Sequence, residues 1–161
     1  MSIEVGNTLP DVNLMRMGAE GPESVSLAAL TAGRKVVIFA VPGAFTPTCH
    51  SAHLPGFVTA MDALKAKGVE AVICVSGNDP FVMGAWGETT GASAAGIEML
   101  ADADGSFARG LGMELDAPAA GLYGRTKRLA LAAENGVVTV WHPETGRGCE
   151  ISGGPAMVAA L

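Results

Sequence analysis

The sequence predicts one α/β domain built on a mixed β-sheet, and three features predict it. Two strongly apolar stretches, the continuous run of Lys35–Val41 (KVVIFAV) and Val69–Val75 (VEAVICV), read as buried strands. The stretch between them carries Phe57, Met61 and Leu64 at helical spacing, so strand, helix and strand follow one another. Asn135-Gly136, between Arg128–Ala133 and Val137–Trp141, signals a tight hairpin and adds antiparallel strands to the sheet.

The remaining elements follow in order. Ser24–Leu30 (SVSLAAL) reads as a short helix. Gly33 and Pro42 bound the first buried strand. The next helix starts at Pro47 and runs to about Lys67, where Gly68 stops it; Pro55 inside it predicts a kink. Asp79 is placed to N-cap a helix reaching Trp86, with Pro80 at its first position. Ile97–Ala101 reads as a short strand, Gly105–Leu111 as a short helix, and Pro155–Leu161 as a final helix. The chain of 161 residues matches about one domain at roughly 150 residues each, so 1–161 is expected to be a single unit. This order of elements is that of a thioredoxin-like fold.

Composition narrows the function. Hydrophobic residues are 49% of the chain and mean hydropathy is +0.36, which excludes a disordered segment. Charged residues are 16%, below the roughly 25% of an average domain, so part of the surface is expected to be covered in an oligomer. Ten basic against 16 acidic residues leave −6, a poor balance for nucleic acid or an anionic membrane. The Val36–Val41 run is far short of the ~20 residues of a membrane span. The MSIEVGNTLP start has no basic or apolar signal region, and Ala159-Ala160-Leu161 is no peroxisomal address. Three scattered cysteines do not make a secreted disulfide framework, so a reducing, cytoplasmic setting is expected.

The chemistry concentrates in Val41–Cys49, V-P-G-A-F-T-P-T-C, where a central strand hands over to a helix. Open α/β sheets bind ligands beyond the carboxyl ends of such strands. Thr46 as N-cap puts Pro47 at N1, Thr48 at N2 and Cys49 at N3, among free backbone N–H groups at the positive end of the dipole. Such a setting favours thiolate over thiol, and the thiolate is the nucleophile. The spacing is T-x-x-C, not C-x-x-C, so a dithiol exchanger is disfavoured. A hydroxyl beside a lone thiolate suits holding a small polar electrophile while sulfur attacks it.

VPGAFTPTCHSAHLPGF resembles the P-G-x-F-T-P-x-C-s-x-x-H-l-P-G-f signature of type II, five-like peroxiredoxins. The resemblance continues in LKAKGVEAVICVSGNDPFVMGAWG, LADADGSFARGLGMELD and GLYGRTKRLALAAENGVV, and covers essentially the whole chain. It implies a thioredoxin-like fold and a thiol-dependent reduction of hydrogen peroxide and alkyl hydroperoxides, with peroxynitrite a further candidate. It makes Cys49 the peroxidatic nucleophile, which becomes a sulfenic acid, and brings in Pro42, Thr46 and Arg128 as its catalytic companions. Arg125 is the second choice of arginine. Two positions depart from the family pattern: Leu129 stands where many relatives carry an aromatic, and His50 at a position often small and polar. The resemblance also implies a homodimer, and we expect its contacts at the loop Pro42–Phe45 and the helix starting near Asp79.

Recycling leaves alternatives. Cys74 lies in an apolar strand and reads as core, although plant relatives commonly carry a cysteine there. Cys149, in the glycine-rich TGRGCEISGG beside Arg147, reads either as an exposed, mobile, electropositive resolving thiol or as a core residue at a strand end. A resolving thiol implies thioredoxin as reductant; without one, glutathione or glutaredoxin must attack the sulfenic acid. A buried Cys49 cannot meet either partner unless the first turn of its helix moves. No cofactor and no metal are expected: Cys49 and His53 share a helix face, but further ligands are not evident. His53 is expected to hold the loop or a subunit contact, and His142 to be a turn residue. The alternative to an enzyme is a redox sensor or binding module switched by Cys49 oxidation, which turnover with a thiol distinguishes.

Overall fold

The computed structural model describes residues 2–146 and 148–161. A hairpin of β1 (Asn13–Gly18) and β2 (Gly21–Ser26) leads into α1 (Leu27–Thr31). Strand β3 (Lys35–Val41) follows, then a π turn (Cys49–His53) that continues into α2 (Leu54–Ala66). Next come β4 (Ala71–Ser76), α3 (Pro80–Thr90), β5 (Ile97–Ala101) and α4 (Ser106–Leu111). Short strands β6 (Glu114–Ala117) and β7 (Leu122–Thr126) form a separate pair. The chain closes with β8 (Leu129–Glu134), β9 (Val137–Pro143) and α5 (Gly154–Ala160).

The main sheet has seven strands in the order β2-β1-β5-β4-β3-β8-β9. At its centre β3 pairs parallel with β4 and antiparallel with β8. Successive side chains of β3 alternate between faces, as the pleat requires. Val37, Phe39 and Val41 join Leu54, Phe57 and Trp86 beneath α2 and α3, whereas Val36, Ile38 and Ala40 join Leu27, Leu100 and Phe107 on the other face. Phe39 and Phe57 stack with centroids 4.0 Å apart, which locks the start of α2 onto β3.

The mixed sheet and the thioredoxin-like order of elements are as the sequence predicts. Asn135 (φ 49) and Gly136 (φ 77) both take positive φ, the signature of the two-residue hairpin turn. Three readings are corrected. The helix expected at Ser24–Leu30 covers Leu27–Thr31, because Ser24 and Val25 pair with Met15 and Leu14 in the β1–β2 hairpin, and Ser26 caps the helix. His142 is no turn residue; it lies in β9 opposite Ala130. The break expected at Pro55 takes the form of the π turn just before it, where Leu54 N–H reaches five residues back to the Cys49 carbonyl.

Helix α5 packs on α2 through two glycines. A Cβ at Gly154 would stand 2.5 Å from the Gly56 carbonyl oxygen and 3.0 Å from Ala60 Cβ. The backbone has no room to yield, so Gly154→Ala is expected to destabilise the fold by about 1–3 kcal/mol, read as a lower urea midpoint with unchanged slope.

Candidate active site

The loop after β3 is held by its neighbours. Arg125 Nη1 donates to the Pro42 carbonyl (2.9 Å), and the Ala44 N–H donates to Asn78 Oδ1 (2.9 Å), which also accepts from Ser76 (2.7 Å). Phe45 takes φ 63, an uncommon conformation for a non-glycine residue, and remains half exposed. Thr46 starts the helix, its carbonyl accepting the His50 N–H at 2.8 Å. Its side chain departs from the expected cap: the hydroxyl donates to the Gly43 carbonyl at 2.6 Å. The Thr46 proton is therefore committed, and its lone pairs are left to accept from a ligand.

Cys49 is fully buried at the start of the π turn. Arg128 Nη2 donates to Cys49 Sγ at 3.1 Å, and Arg128 Nη1 lies 3.0 Å from His53 Nδ1. The antiparallel β3–β8 register sets Ala40 opposite Leu129, which brings Arg128 to the carboxyl end of β3. His53, also fully buried, has its Nε2 2.8 Å from the Ser152 carbonyl. A carbonyl only accepts, so Nε2 carries the proton and Nδ1 accepts from the guanidinium. Burial, and then the Arg128 charge, push His53 down to about 4, so the ring is neutral near pH 7. Both ring nitrogens are engaged, one by the Ser152 carbonyl and one by Arg128, so neither is left to act as a base for Cys49. The sequence placed His53 on the face of Cys49; its grip on Arg128 arises only in three dimensions.

The other cysteines separate. Cys74 is fully buried in β4 opposite Phe39, and burial pushes its thiol well above the usual range. Cys149 is half-buried and pushed up, first by burial; its Sγ lies 3.8 Å from Ser152 Oγ. It is no exposed, readily ionised thiol, and Arg147, invoked beside it, lies outside the described residues. Residues 150–152 are instead tied down: Glu144 Oε2 accepts the N–H groups of Glu150 (2.8 Å), Ile151 (2.9 Å) and Ser152 (2.8 Å), and the Ser152 hydroxyl (2.7 Å). Burial raises the Glu144 carboxyl, but the bonds from Ser152, Glu150 and Ile151 outweigh it and hold the group below its ordinary value. On the opposite side, Trp86 Nε1 donates to His50 Nδ1 (3.0 Å), and Phe45 stacks on the same imidazole. Glu144, Ser152 and the Trp86–His50 pair carry no sequence signal of their own.

This fold, with a buried thiol held by an arginine at a strand-to-helix junction, is a redox architecture. The redoxin family model matches residues 4–152. Peroxiredoxin-2C of Oryza sativa subsp. japonica is 46% identical, over 99% of this chain and 98% of its own length. Chloroplastic peroxiredoxin-2E-2 of the same organism is 47% identical, over 99% of this chain and 73% of its own. The crystal structure of reduced Prx3 from Vibrio vulnificus in complex with H2O2 matches with a TM-score of 0.91 and 48% identity, over 98% of each chain. The chain belongs to the redoxin family and, within it, to the type II, five-like peroxiredoxins. It is a thiol-dependent peroxidase.

Neutral His53 gives the site a pH dependence with a definite sign. A group pushed down from 6.5 to about 4 on folding contributes stability that is complete above pH 6.5 and lost as pH falls toward 4. The shift corresponds to about 3 kcal/mol. The stability difference between the native protein and His53→Gln is expected to shrink over that interval, measured by urea unfolding at each pH. A constant difference would remove this role.

Proposed function

We propose that Cys49 is the peroxidatic sulfur, with Arg128, Thr46 and Pro42 as its catalytic companions. The Arg128–Cys49 contact at 3.1 Å carries this reading. Arg128 is 7% exposed, and among the described residues no carboxylate lies within 4.0 Å of it. A buried guanidinium needs an anion, and the Cys49 thiolate is the group placed to be one.

The reaction then follows from the contacts. The Cys49 thiolate attacks the terminal oxygen of a hydroperoxide; an S–O bond forms and the O–O bond breaks. The terminal oxygen keeps its hydrogen on sulfur, and the alkoxide leaves, takes a proton from solvent and departs as the alcohol, or as water from hydrogen peroxide. Cys49 is left as a sulfenic acid. Arg128, always charged and with a second donor fixed by His53, stabilises charge moving from sulfur onto the two oxygens. Thr46, its own proton on Gly43, accepts from the hydroperoxide O–H and aligns it. Pro42, pinned through its carbonyl by Arg125, offers no proton and shields the sulfur from water. A cavity of about 790 Å³ is lined by Pro42 and Arg128 together with Met113, Leu115 and Leu122, and its lining does not include Cys49 or Thr46.

For recycling we favour Cys149 over Cys74 as the resolving thiol, because Cys74 is sealed in the sheet. Cys49 is buried, so its segment must move to meet any partner. A closed Cys49–Cys149 disulfide implies thioredoxin as reductant; a lone sulfenic acid implies glutathione or glutaredoxin. A homodimer across Phe45 and Phe81 is part of the same proposal, since both rings are at least half exposed in the segments that follow the neighbouring strands β3 and β4.

Arg128→Lys, which keeps the charge but loses the two-pronged geometry, is expected to lower kcat/KM for an alkyl hydroperoxide by about 10²-fold or more. Mass spectrometry after one equivalent of peroxide should place the first oxidation on Cys49; an unmodified Cys49 overturns the assignment. In sedimentation velocity at micromolar concentration the protein should run as a dimer and Phe81→Asp as a monomer. A monomeric native protein rejects the interface.

A further inference from the structure

We propose that Ser152 and Glu144 are positioning residues that park Cys149 as a neutral thiol and thereby slow closure of the Cys49–Cys149 disulfide. The proposal rests on Cys149 being the resolving thiol. Its core is the direction of the hydrogen bonds. The Glu144 carboxylate is an acceptor only, so the Ser152 hydroxyl spends its proton on Glu144 Oε2 at 2.7 Å. What Ser152 Oγ then offers Cys149 Sγ, 3.8 Å away, is a lone pair. The thiol must donate, and it donates only while it keeps its proton. A thiolate at Cys149 would face an oxygen with no proton to give, with the Glu144 charge behind it.

The arrangement is fixed at both ends. Glu144 also accepts the N–H groups of Glu150, Ile151 and Ser152, so the backbone after Cys149 cannot swing without breaking charge-assisted bonds. The Ser152 carbonyl meanwhile accepts from His53, whose other nitrogen holds Arg128 on Cys49. The segment that parks the resolving sulfur therefore also supports the peroxidatic one. In the closing step the Cys149 thiolate attacks the sulfur of the Cys49 sulfenic acid. A sulfur–sulfur bond forms, the S–OH bond breaks, and hydroxide leaves with the proton from Cys149 as water. Releasing that proton and that contact is what Ser152 and Glu144 oppose. The advantage is chemical: a sulfenic acid that persists longer can be reached by an external thiol before the internal one closes.

The test uses the full chain and three variants, Ser152→Ala, Ser152→Thr and Glu144→Gln. Two rates are read. One is disulfide closure after one equivalent of hydrogen peroxide, by rapid acid quench and mass spectrometry. The other is iodoacetamide alkylation of Cys149 in the reduced protein, resolved by peptide. Loss of one hydrogen bond predicts that Ser152→Ala raises both rates roughly fivefold, that Ser152→Thr restores the native values, and that Glu144→Gln raises both. Alkylation of Cys49 should not change in Ser152→Ala, which a general loosening of the fold would not achieve. Closure in Ser152→Ala at or below the native rate, with unchanged Cys149 alkylation, overturns the proposal. If the native protein stops at a Cys49 sulfenic acid and never closes, the resolving assignment fails. The slowing of closure is then rejected, and Cys149 alkylation decides the parking alone: faster in Ser152→Ala upholds the parking, unchanged rejects it as well.

Discussion

The contact between the Arg128 guanidinium and the Cys49 sulfur is the constraint around which the rest of this structure is arranged. The guanidinium does not tolerate burial alone, and an ionised sulfur would not either. A cation removed from water needs an anion or several good acceptors, and a thiolate in an apolar core needs a donor. The fold supplies each to the other by running β8 antiparallel to the central strand β3, so that the residue before β8 reaches the loop after β3. His53 provides the second acceptor, and it does so as a neutral ring because burial and Arg128 both disfavour its charge.

The apolar packing serves that contact. The stacked rings of Phe39 on β3 and Phe57 on α2, with the tilted His53 ring beside both, form an aromatic wall, the Phe39 and His53 centroids 5.1 Å apart. That wall fixes the π turn on which Cys49 stands. The wider spacing of hydrogen bonds in this turn sits immediately before Pro55, which cannot donate to the preceding turn, so the irregularity has a local chemical cause. The segment that must move for a second sulfur to reach Cys49 is thus the least regular part of its helix.

Around this centre the polar groups form a continuous chain. Cys49 bonds to Arg128, Arg128 to His53, His53 to the Ser152 carbonyl, and Ser152 to both Glu144 and Cys149. Cys49 and Cys149 are thereby connected through it. Such networks couple their members, because each bond fixes the donor direction of the next.

Much of this protein was legible in its residues. Short apolar runs bounded by glycine and proline read as buried strands, Asn135-Gly136 as a tight turn, and T-P-T-C after a strand as a helix start with Cys49 in its first turn. These are local statements, and local propensity and pattern determined them. The family signature added Arg128, which no spacing from Cys49 reveals. What the tertiary structure alone decided is non-local. The β1–β2 hairpin took Ser24 and Val25 from an expected helix, because strand pairing across a turn outweighed a short helical pattern. The Thr46 hydroxyl turned from capping to the Gly43 carbonyl. Cys149 proved to be a held, half-buried thiol because Glu144 gathers the backbone beside it. Hydrogen-bond direction and burial depend on which groups meet across the fold, and that is information a linear pattern of residue types does not contain.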